Sequence, residues 1–175
     1  MKKSRRLAVC AVLSAFSVVI MLCAYFPYLT YALPALAGLL MPVAVIEINK
    51  KWAFGCFLST ALISLFICEK EAAVLFAFFF GWYPILKSGL ERLRSKFVEY
   101  IIKFAVFNVS LVAAYSILIF LFDFSLESLG FEGKLTLSLF AALGNVVFFV
   151  YDIGATRVIT LYINKYRDIV RKLIK

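Results

Sequence analysis

The stretch LAVCAVLSAFSVVIMLCAYFPYLTYALPALAGLLMPVAVI, residues 7–46, decides the fold because it contains 40 residues without a charged side chain. A helix rises about 1.5 Å per residue, so roughly 20 apolar residues match the ~30 Å hydrocarbon core of a membrane. Forty residues are too many for one crossing and suit two crossings joined by a tight turn. Pro27 and the nearby Tyr25, Tyr28 and Tyr31 indicate that turn, since proline lacks a backbone N–H and tyrosine favours the membrane boundary.

The rest of the 175-residue chain has the same apolar character. Apolar residues make up 65% of it and charged residues 17%, and the mean hydropathy is +0.99. A soluble domain of this length has too little interior to hide so many apolar side chains. We therefore expect an all-α, polytopic membrane protein that forms a single integral membrane domain over residues 1–175.

Uncharged runs predict where the other spans lie, because each charge at mid-membrane costs roughly 2.5–3.5 kcal/mol. Residues 87–99 interrupt the pattern with mixed charges and apolar residues at helical spacing. This segment predicts an amphipathic helix on the membrane surface. The sequence predicts six transmembrane helices, at about residues 7–26, 31–48, 52–68, 72–86, 102–122 and 135–156.

The distribution of lysine and arginine predicts the orientation. With six alternating spans, 17 of the 19 basic residues lie on the side of the N-terminus or at the span ends there. Only Lys70 and Lys134 fall on the other side. Since loops rich in lysine and arginine stay inside the cell, we expect both termini to be cytoplasmic.

The residue inventory limits the chemistry. The chain has no histidine, and Cys10, Cys23, Cys56 and Cys68 lie far apart inside apolar runs. We therefore expect no metal site, no cofactor and no enzymatic activity, because the usual ligand and nucleophile patterns are missing. The basic residues are split among separate clusters, which argues against nucleic-acid binding. Whether Cys23 and Cys68 form a disulfide stays open, since spacing alone does not decide it.

Polar residues inside the spans mark particular helix faces. Asn145 lies near the middle of the sixth span, and Asn108 and Tyr115 share one face of the fifth. Such residues either hydrogen-bond between helices and hold the bundle together, or line a polar cavity. Glu47 and Asp152 lie near the cytoplasmic ends of their spans, where we expect them to be interfacial rather than buried.

Ala8, Ala11 and Ala15 form a strip of small residues, the alanine strip, on one face of the first span. Small side chains let two helices approach closely and gain packing energy in lipid. The alanine strip is therefore either an interface for a partner chain or a contact with another helix of the same bundle.

The chain resembles the substrate-binding S subunits of energy-coupling-factor (ECF) vitamin transporters in its length, its six expected helices and its expected cytoplasmic termini. The most specific element is Ala11-Val-Leu-Ser-Ala15, which resembles the A-x-x-x-A strip by which that family docks on its transmembrane coupling subunit. The resemblance implies a bacterial cell-membrane protein that binds a small organic solute, a vitamin or precursor. It also implies partners on separate chains, namely the coupling subunit and cytoplasmic ATPases.

In that family the solute binds near the outer face of the membrane. The resemblance therefore makes Tyr28, Tyr31, Tyr115 and Asn145 the candidate substrate-binding residues, and Ala11 and Ala15 the candidate partner interface. Two rival functions remain: a structural protein of the cell envelope whose polar faces only lock helices together, and a secondary transporter with Glu47 or Asp152 as proton carrier.

Overall fold

The computed structural model describes residues 3–26, 29–124 and 134–174, and these residues form helices without any strand. The expectation of an all-α fold is confirmed for this part of the chain. The α-helices are α1 (Lys3–Leu22), α2 (Ala32–Gly38), α3 (Met41–Glu47), α4 (Lys50–Ile67), α5 (Lys70–Leu75), α6 (Tyr83–Leu90), α7 (Lys96–Phe122), α8 (Lys134–Leu161) and α9 (Arg167–Ile174). A π-helical turn at Phe76–Phe80 follows α5 and leads to α6, and another at Tyr162–Tyr166 connects α8 to α9.

Several helices are long and apolar enough to cross a membrane. They are the continuous helical segments Lys3–Tyr25, Lys50–Ile67, Lys70–Leu90, Lys96–Phe122 and Ser138–Val170. Large apolar side chains cover their outer surface; Phe66 and Phe120, for example, are 84% and 88% exposed. Because water-soluble proteins rarely expose so large an apolar surface, this exterior suits lipid.

The expected span at residues 31–48 is shorter and is broken into α2 and α3. Pro42 lies in the first turn of α3 and has no N–H to bond the carbonyl of Gly38, so the helix is interrupted at residues 39–40. The segment Ala32–Glu47 would extend about 24 Å as an unbroken helix, less than the ~30 Å of the hydrocarbon core. It nevertheless runs from one end of the bundle to the other, as the side chains at its two ends show.

Two ends of the bundle can be distinguished by their contacts. At the acidic end, which carries Glu69, Glu71 and Asp123, the Tyr25 hydroxyl donates to the Ile67 carbonyl at 3.0 Å and the Tyr31 hydroxyl to Glu71 at 3.0 Å. At the basic end, which carries the turns at residues 47–51 and 91–95 together with α9, the Arg167 Nε lies 3.5 Å from Glu47. The ends of Ala32–Glu47 therefore lie at opposite ends of the molecule.

The surface helix expected at residues 87–99 is wrong. Helix α6 ends at Leu90, a turn occupies residues 91–95, and α7 begins at Lys96 after Ser95 caps its first turn. The physical reason is that Lys87 is completely buried within the bundle, where it meets a carboxylate of α8. The apolar periodicity of this stretch belongs to two separate helices.

An aromatic core joins the π-helical turn at Phe76–Phe80 to α7 and α8. The Phe107 and Phe148 rings stack with centroids 4.7 Å apart, and Phe79 meets both rings edge-on at 5.2 and 5.6 Å. On the other side of the bundle, α1 packs against α4 through Ser14, whose hydroxyl donates to the Cys56 carbonyl at 3.2 Å. These two contact regions lie on either side of the central segment Lys70–Leu90, with α1–α4 on one side and α7 and α8 on the other. Lys70–Leu90 is the most buried of the long helical segments.

Candidate functional site

A half-buried carboxylate lies at the acidic end between two tyrosines. The Tyr31 hydroxyl donates to Glu71 Oε1 at 3.0 Å and the Tyr115 hydroxyl donates to the same oxygen at 2.9 Å. The Phe140 ring lies beside both tyrosine rings, with centroids 6.4 Å from Tyr31 and 5.6 Å from Tyr115. We call Tyr31, Glu71, Tyr115 and Phe140 the Glu71 cluster; it joins the start of α2, α5, α7 and α8.

Helix capping fixes the position of Glu71. Glu69 is the N-cap of α5, and its carboxylate accepts hydrogen bonds from the backbone N–H groups of Glu71 at 2.9 Å and Ala72 at 2.7 Å. Because the cap satisfies the free donors of the first turn, the helix begins at Lys70 and holds Glu71 on its first turn. A carboxylate there is also favoured by the helix dipole.

Glu71 has no cationic partner within the described part of the chain. The neighbouring Lys70 instead donates to the Leu65 carbonyl at 3.1 Å, and its ammonium lies 5.4 Å from the centre of the Phe122 ring. Two neutral hydroxyl donors compensate only part of the desolvation cost of a carboxylate. The Glu71 cluster therefore combines a negative charge with three aromatic rings, an arrangement that suits a ligand cation.

The structure brings two of the four expected substrate-binding residues together. Tyr31 and Tyr115 meet at Glu71, whereas Tyr28 lies outside the described residues. Asn145 lies apart and pairs reciprocally with Asn108, with nitrogen–oxygen distances of 2.9 and 3.1 Å. Of the two interpretations of these asparagines, this geometry favours hydrogen bonds that join α7 to α8.

Buried ionic groups form a second cluster toward the basic end. Asp152 of α8 accepts hydrogen bonds from the Tyr83 hydroxyl at 2.6 Å, from the Lys103 ammonium at 2.9 Å and from the Lys87 ammonium. Lys103 also pairs with Glu99 at 2.8 Å. We call Tyr83, Lys87, Glu99, Lys103 and Asp152 the Asp152 cluster. None of the four charged side chains is more than 4% exposed.

The expectation that Glu47 and Asp152 are interfacial is wrong, since each side chain is only 4% exposed. Each acid finds partners on a distant segment: Asp152 the lysines of α6 and α7, and Glu47 the Arg167 guanidinium at 3.5 Å. Pairing offsets the cost of removing charges from water, which explains their burial. Sequence reasoning missed Lys87 and Lys103 because Asp152, the partner they share, lies 65 and 49 residues away along the chain. It also missed Glu99, although the spacing of Glu99 and Lys103, four residues apart on one helix, is a local signal.

The alanine strip faces away from the bundle. Ala8, Ala11 and Ala15 are exposed, whereas Cys10, Ser14 and Ser17 form the buried face of α1. The interpretation of the strip as a contact with another helix of this bundle is therefore not the arrangement in the structure.

The four cysteines are free thiols, and Cys23 and Cys68 do not form a disulfide. Burial, with a smaller effect from the Glu69 carboxylate, raises the pKa of the Cys68 thiol and so reduces its reactivity. Within the residues that the structure describes, no three histidine, cysteine, aspartate or glutamate side chains converge as metal ligands.

The fold and the two clusters define a class: an all-helical chain with several helices apolar enough to span a membrane and with polar clusters between them. No protein-family model, curated protein or solved structure matches this chain. Its function must therefore be argued from the two clusters and the exposed surfaces.

The Asp152 cluster predicts a large effect of Asp152→Asn on stability. This change keeps the shape of the side chain but removes the negative charge between Lys87 and Lys103. We expect a lower thermal unfolding midpoint in detergent, equivalent to a loss of about 3–5 kcal/mol, the range for breaking a buried ion pair.

Asp168→Asn is the matched control, because Asp168 is exposed in α9 on the same continuous helical segment. We expect the control to leave the midpoint unchanged. Equal midpoints for Asp152→Asn and the unmodified protein would show that the cluster does not stabilise the bundle.

Proposed function

We propose that this chain is a multi-pass protein of the bacterial cell membrane that binds a small organic solute, a vitamin or precursor, at the Glu71 cluster. It serves as the substrate-binding subunit of an ATP-driven importer whose coupling subunit and ATPases are separate chains. The observation that carries the proposal is the convergence of Tyr31 and Tyr115 on a half-buried carboxylate that has no cationic partner among the described residues.

The contacts at the two ends support six crossings with the basic end in the cytoplasm. The segment Ala32–Glu47 connects the acidic end to the basic end, so it acts as a sixth, shorter crossing beside the five long helical segments. The basic residues Lys50, Arg92, Arg94 and Lys165 then lie on one side, as the positive-inside rule requires. The Glu71 cluster lies on the outer side, where an imported solute arrives.

The chemistry of the Glu71 cluster indicates the class of solute. A basic amine would supply the positive charge that Glu71 lacks, and the faces of Tyr31, Tyr115 and Phe140 would attract the same cation. We therefore propose a solute that carries an amine or another cationic group. This requirement restricts the proposed solute to a vitamin or precursor that carries a positive charge.

The exposed alanine strip supports the proposed partner. Along the strip, α1 presents small side chains to its surroundings, while its opposite face packs against α4. A helix of another chain could approach α1 closely along Ala11 and Ala15. This surface is available without any rearrangement of the bundle.

Replacing Glu71 by Gln tests the solute site. We expect the purified protein to carry a low-mass basic compound that mass spectrometry detects after extraction. The amount of this compound bound per protein should be about tenfold lower, or lower still, in Glu71→Gln. The expected factor corresponds to a charge-assisted hydrogen bond of roughly 1.5–3 kcal/mol.

Asp123→Asn is the matched control, because Asp123 is an exposed acid at the same end and asparagine tolerates its positive φ of 58°. The control should keep the compound. Equal retention by Glu71→Gln would exclude the site, and the absence of any compound from unmodified protein would favour the structural role in the cell envelope.

The partner interface is tested by Ala15→Trp. Because Ala15 is exposed, we expect the variant to fold with an unchanged thermal midpoint and to keep its solute, yet to lose co-purification with the coupling subunit and ATPases. Leu62→Trp, on the exposed face of α4, is the control for adding a large side chain to the lipid-facing surface. Retained assembly, or a lowered midpoint in the isolated chain, would contradict the proposed interface.

A further inference from the structure

A pocket of about 360 Å³ opens beside the Asp152 cluster, at the basic end between α7 and α8. Its inner wall includes Glu99, Lys103 and Asp152, all of them buried. Its rim carries Lys96 and Arg157, which are exposed. The pocket is lined by Glu91, Lys96, Glu99, Tyr100, Lys103, Asp152, Ile153, Thr156, Arg157 and Thr160.

The carboxylates of this pocket are already neutralised by lysines. Glu91 pairs with Lys87 at 3.1 Å, Glu99 pairs with Lys96 and Lys103 at 2.8 Å each, and Asp152 pairs with Lys87 and Lys103. Three acids thus share three lysines. The ion pairs leave no carboxylate free to attract a cation.

Arg157 supplies a positive charge beyond the three lysines that pair with the three acids. Within the described residues no carboxylate lies within ion-pair distance of its exposed guanidinium, which borders the pocket. Guanidinium groups bind phosphate through paired hydrogen bonds. The first turn of α7, which supplies Lys96 and Glu99, adds the positive end of a long helix dipole.

The surroundings of the pocket indicate the source of the phosphate. Tyr100 and Ile153 form an apolar part of its wall, and one turn further into the bundle α8 exposes Phe149 and Val150, which are 42% and 64% accessible. A polar pocket that continues into an exposed apolar helix surface fits a molecule with an anionic head and an apolar tail. Basic pockets between helices at a membrane surface bind lipid head groups in this way.

We propose that this pocket binds the phosphate of an anionic lipid from the membrane leaflet at the basic end, with Arg157 as the recognising cation and the exposed Lys96 as a neighbouring positive charge. The Thr156 and Thr160 hydroxyls donate to the carbonyls of Asp152 and Thr156, at 3.1 and 2.8 Å, which are bonds within α8. In this proposal the acyl chain lies along α8. The site is distinct from the Glu71 cluster and does not depend on which solute is carried or on whether one is carried.

The test uses the full chain reconstituted in vesicles of phosphatidylglycerol and phosphatidylcholine, released and weighed by native mass spectrometry. We expect unmodified protein to retain phosphatidylglycerol selectively, and Arg157→Gln to retain roughly five-fold less, as for the loss of about 1 kcal/mol per basic residue. Adding Lys96→Gln should reduce retention further. Arg157 is exposed and has no carboxylate within ion-pair distance among the described residues, so Arg157→Gln alone should leave the thermal midpoint unchanged.

Lys51→Gln is the matched control, since it removes an exposed charge at the same end but outside the pocket. It should retain phosphatidylglycerol normally. Equal retention by Arg157→Gln, or an equal loss in Lys51→Gln, would overturn the site in favour of diffuse surface attraction. In a second experiment, inorganic phosphate replaces the vesicles and the thermal unfolding midpoint is measured. If phosphate raises the midpoint of the unmodified protein but not that of Arg157→Gln, and the vesicle experiment shows no selective retention of phosphatidylglycerol, the pocket binds a soluble phosphate. That result would overturn the lipid assignment.

Discussion

The Asp152 carboxylate, held between the Lys87 and Lys103 ammoniums inside a bundle of apolar helices, determines how α8 is attached to the rest of the molecule. Removing an ion from water into an apolar interior costs several kcal/mol unless it is paired and hydrogen-bonded. The Tyr83 hydroxyl completes the set of donors around Asp152. Helices α6, α7 and α8 must therefore keep one mutual arrangement, since any slip would expose at least one unpaired charge.

This constraint matters most for α8 because so little of it is otherwise buried. Only 17% of the most apolar window of Ser138–Val170 is buried inside the protein, against 56% for Lys70–Leu90. Apolar packing against lipid does not distinguish one helix arrangement from another, because lipid tails are as apolar as leucine. The Asn108–Asn145 pair, the stacked Phe107 and Phe148 rings and the Asp152 cluster supply the specific contacts instead.

The two polar clusters differ in how completely their charges are compensated. Around Asp152, acids and lysines pair within the protein, so this cluster stabilises the fold without any ligand. At Glu71, two tyrosine hydroxyls are the only side-chain donors within hydrogen-bond distance among the described residues, and the carboxylate is half-buried. A carboxylate at the end of a helix bundle that lacks a cationic partner can gain binding energy by pairing with a charged solute. The proposed division is a stabilising cluster near one end and a binding cluster at the other.

Run lengths and charge costs predicted the helical fold. Only the family resemblance grouped Tyr31 with Tyr115, as two of four candidate binding residues, and the structure brings these two together at Glu71. The break at residues 39–40 has a local signal in Pro42, which the prediction of one span over residues 31–48 did not use. The burial of Lys87 and Asp152 had no local signal, because it depends on a contact between residues 65 positions apart. For the same reason the mixed charges of residues 87–99 predicted a surface helix where the chain instead turns. The predicted spans at 52–68 and 72–86 leave Glu71 in the short connection between them, and nothing local marks it as a site because its two tyrosine partners come from distant segments.

Cross-linking in native membranes tests most directly whether the polar faces of α7 and α8 meet inside the apolar bundle. The background lacks the four natural cysteines, and Asn108 and Asn145 are both replaced by cysteine. A short thiol cross-linker should join this pair, because the two asparagine side chains contact each other in the unmodified protein. Cysteines at Val109 and Val146, which are 70% and 62% exposed, should not be joined. Efficient cross-linking of the second pair and none of the first would contradict the proposed helix arrangement.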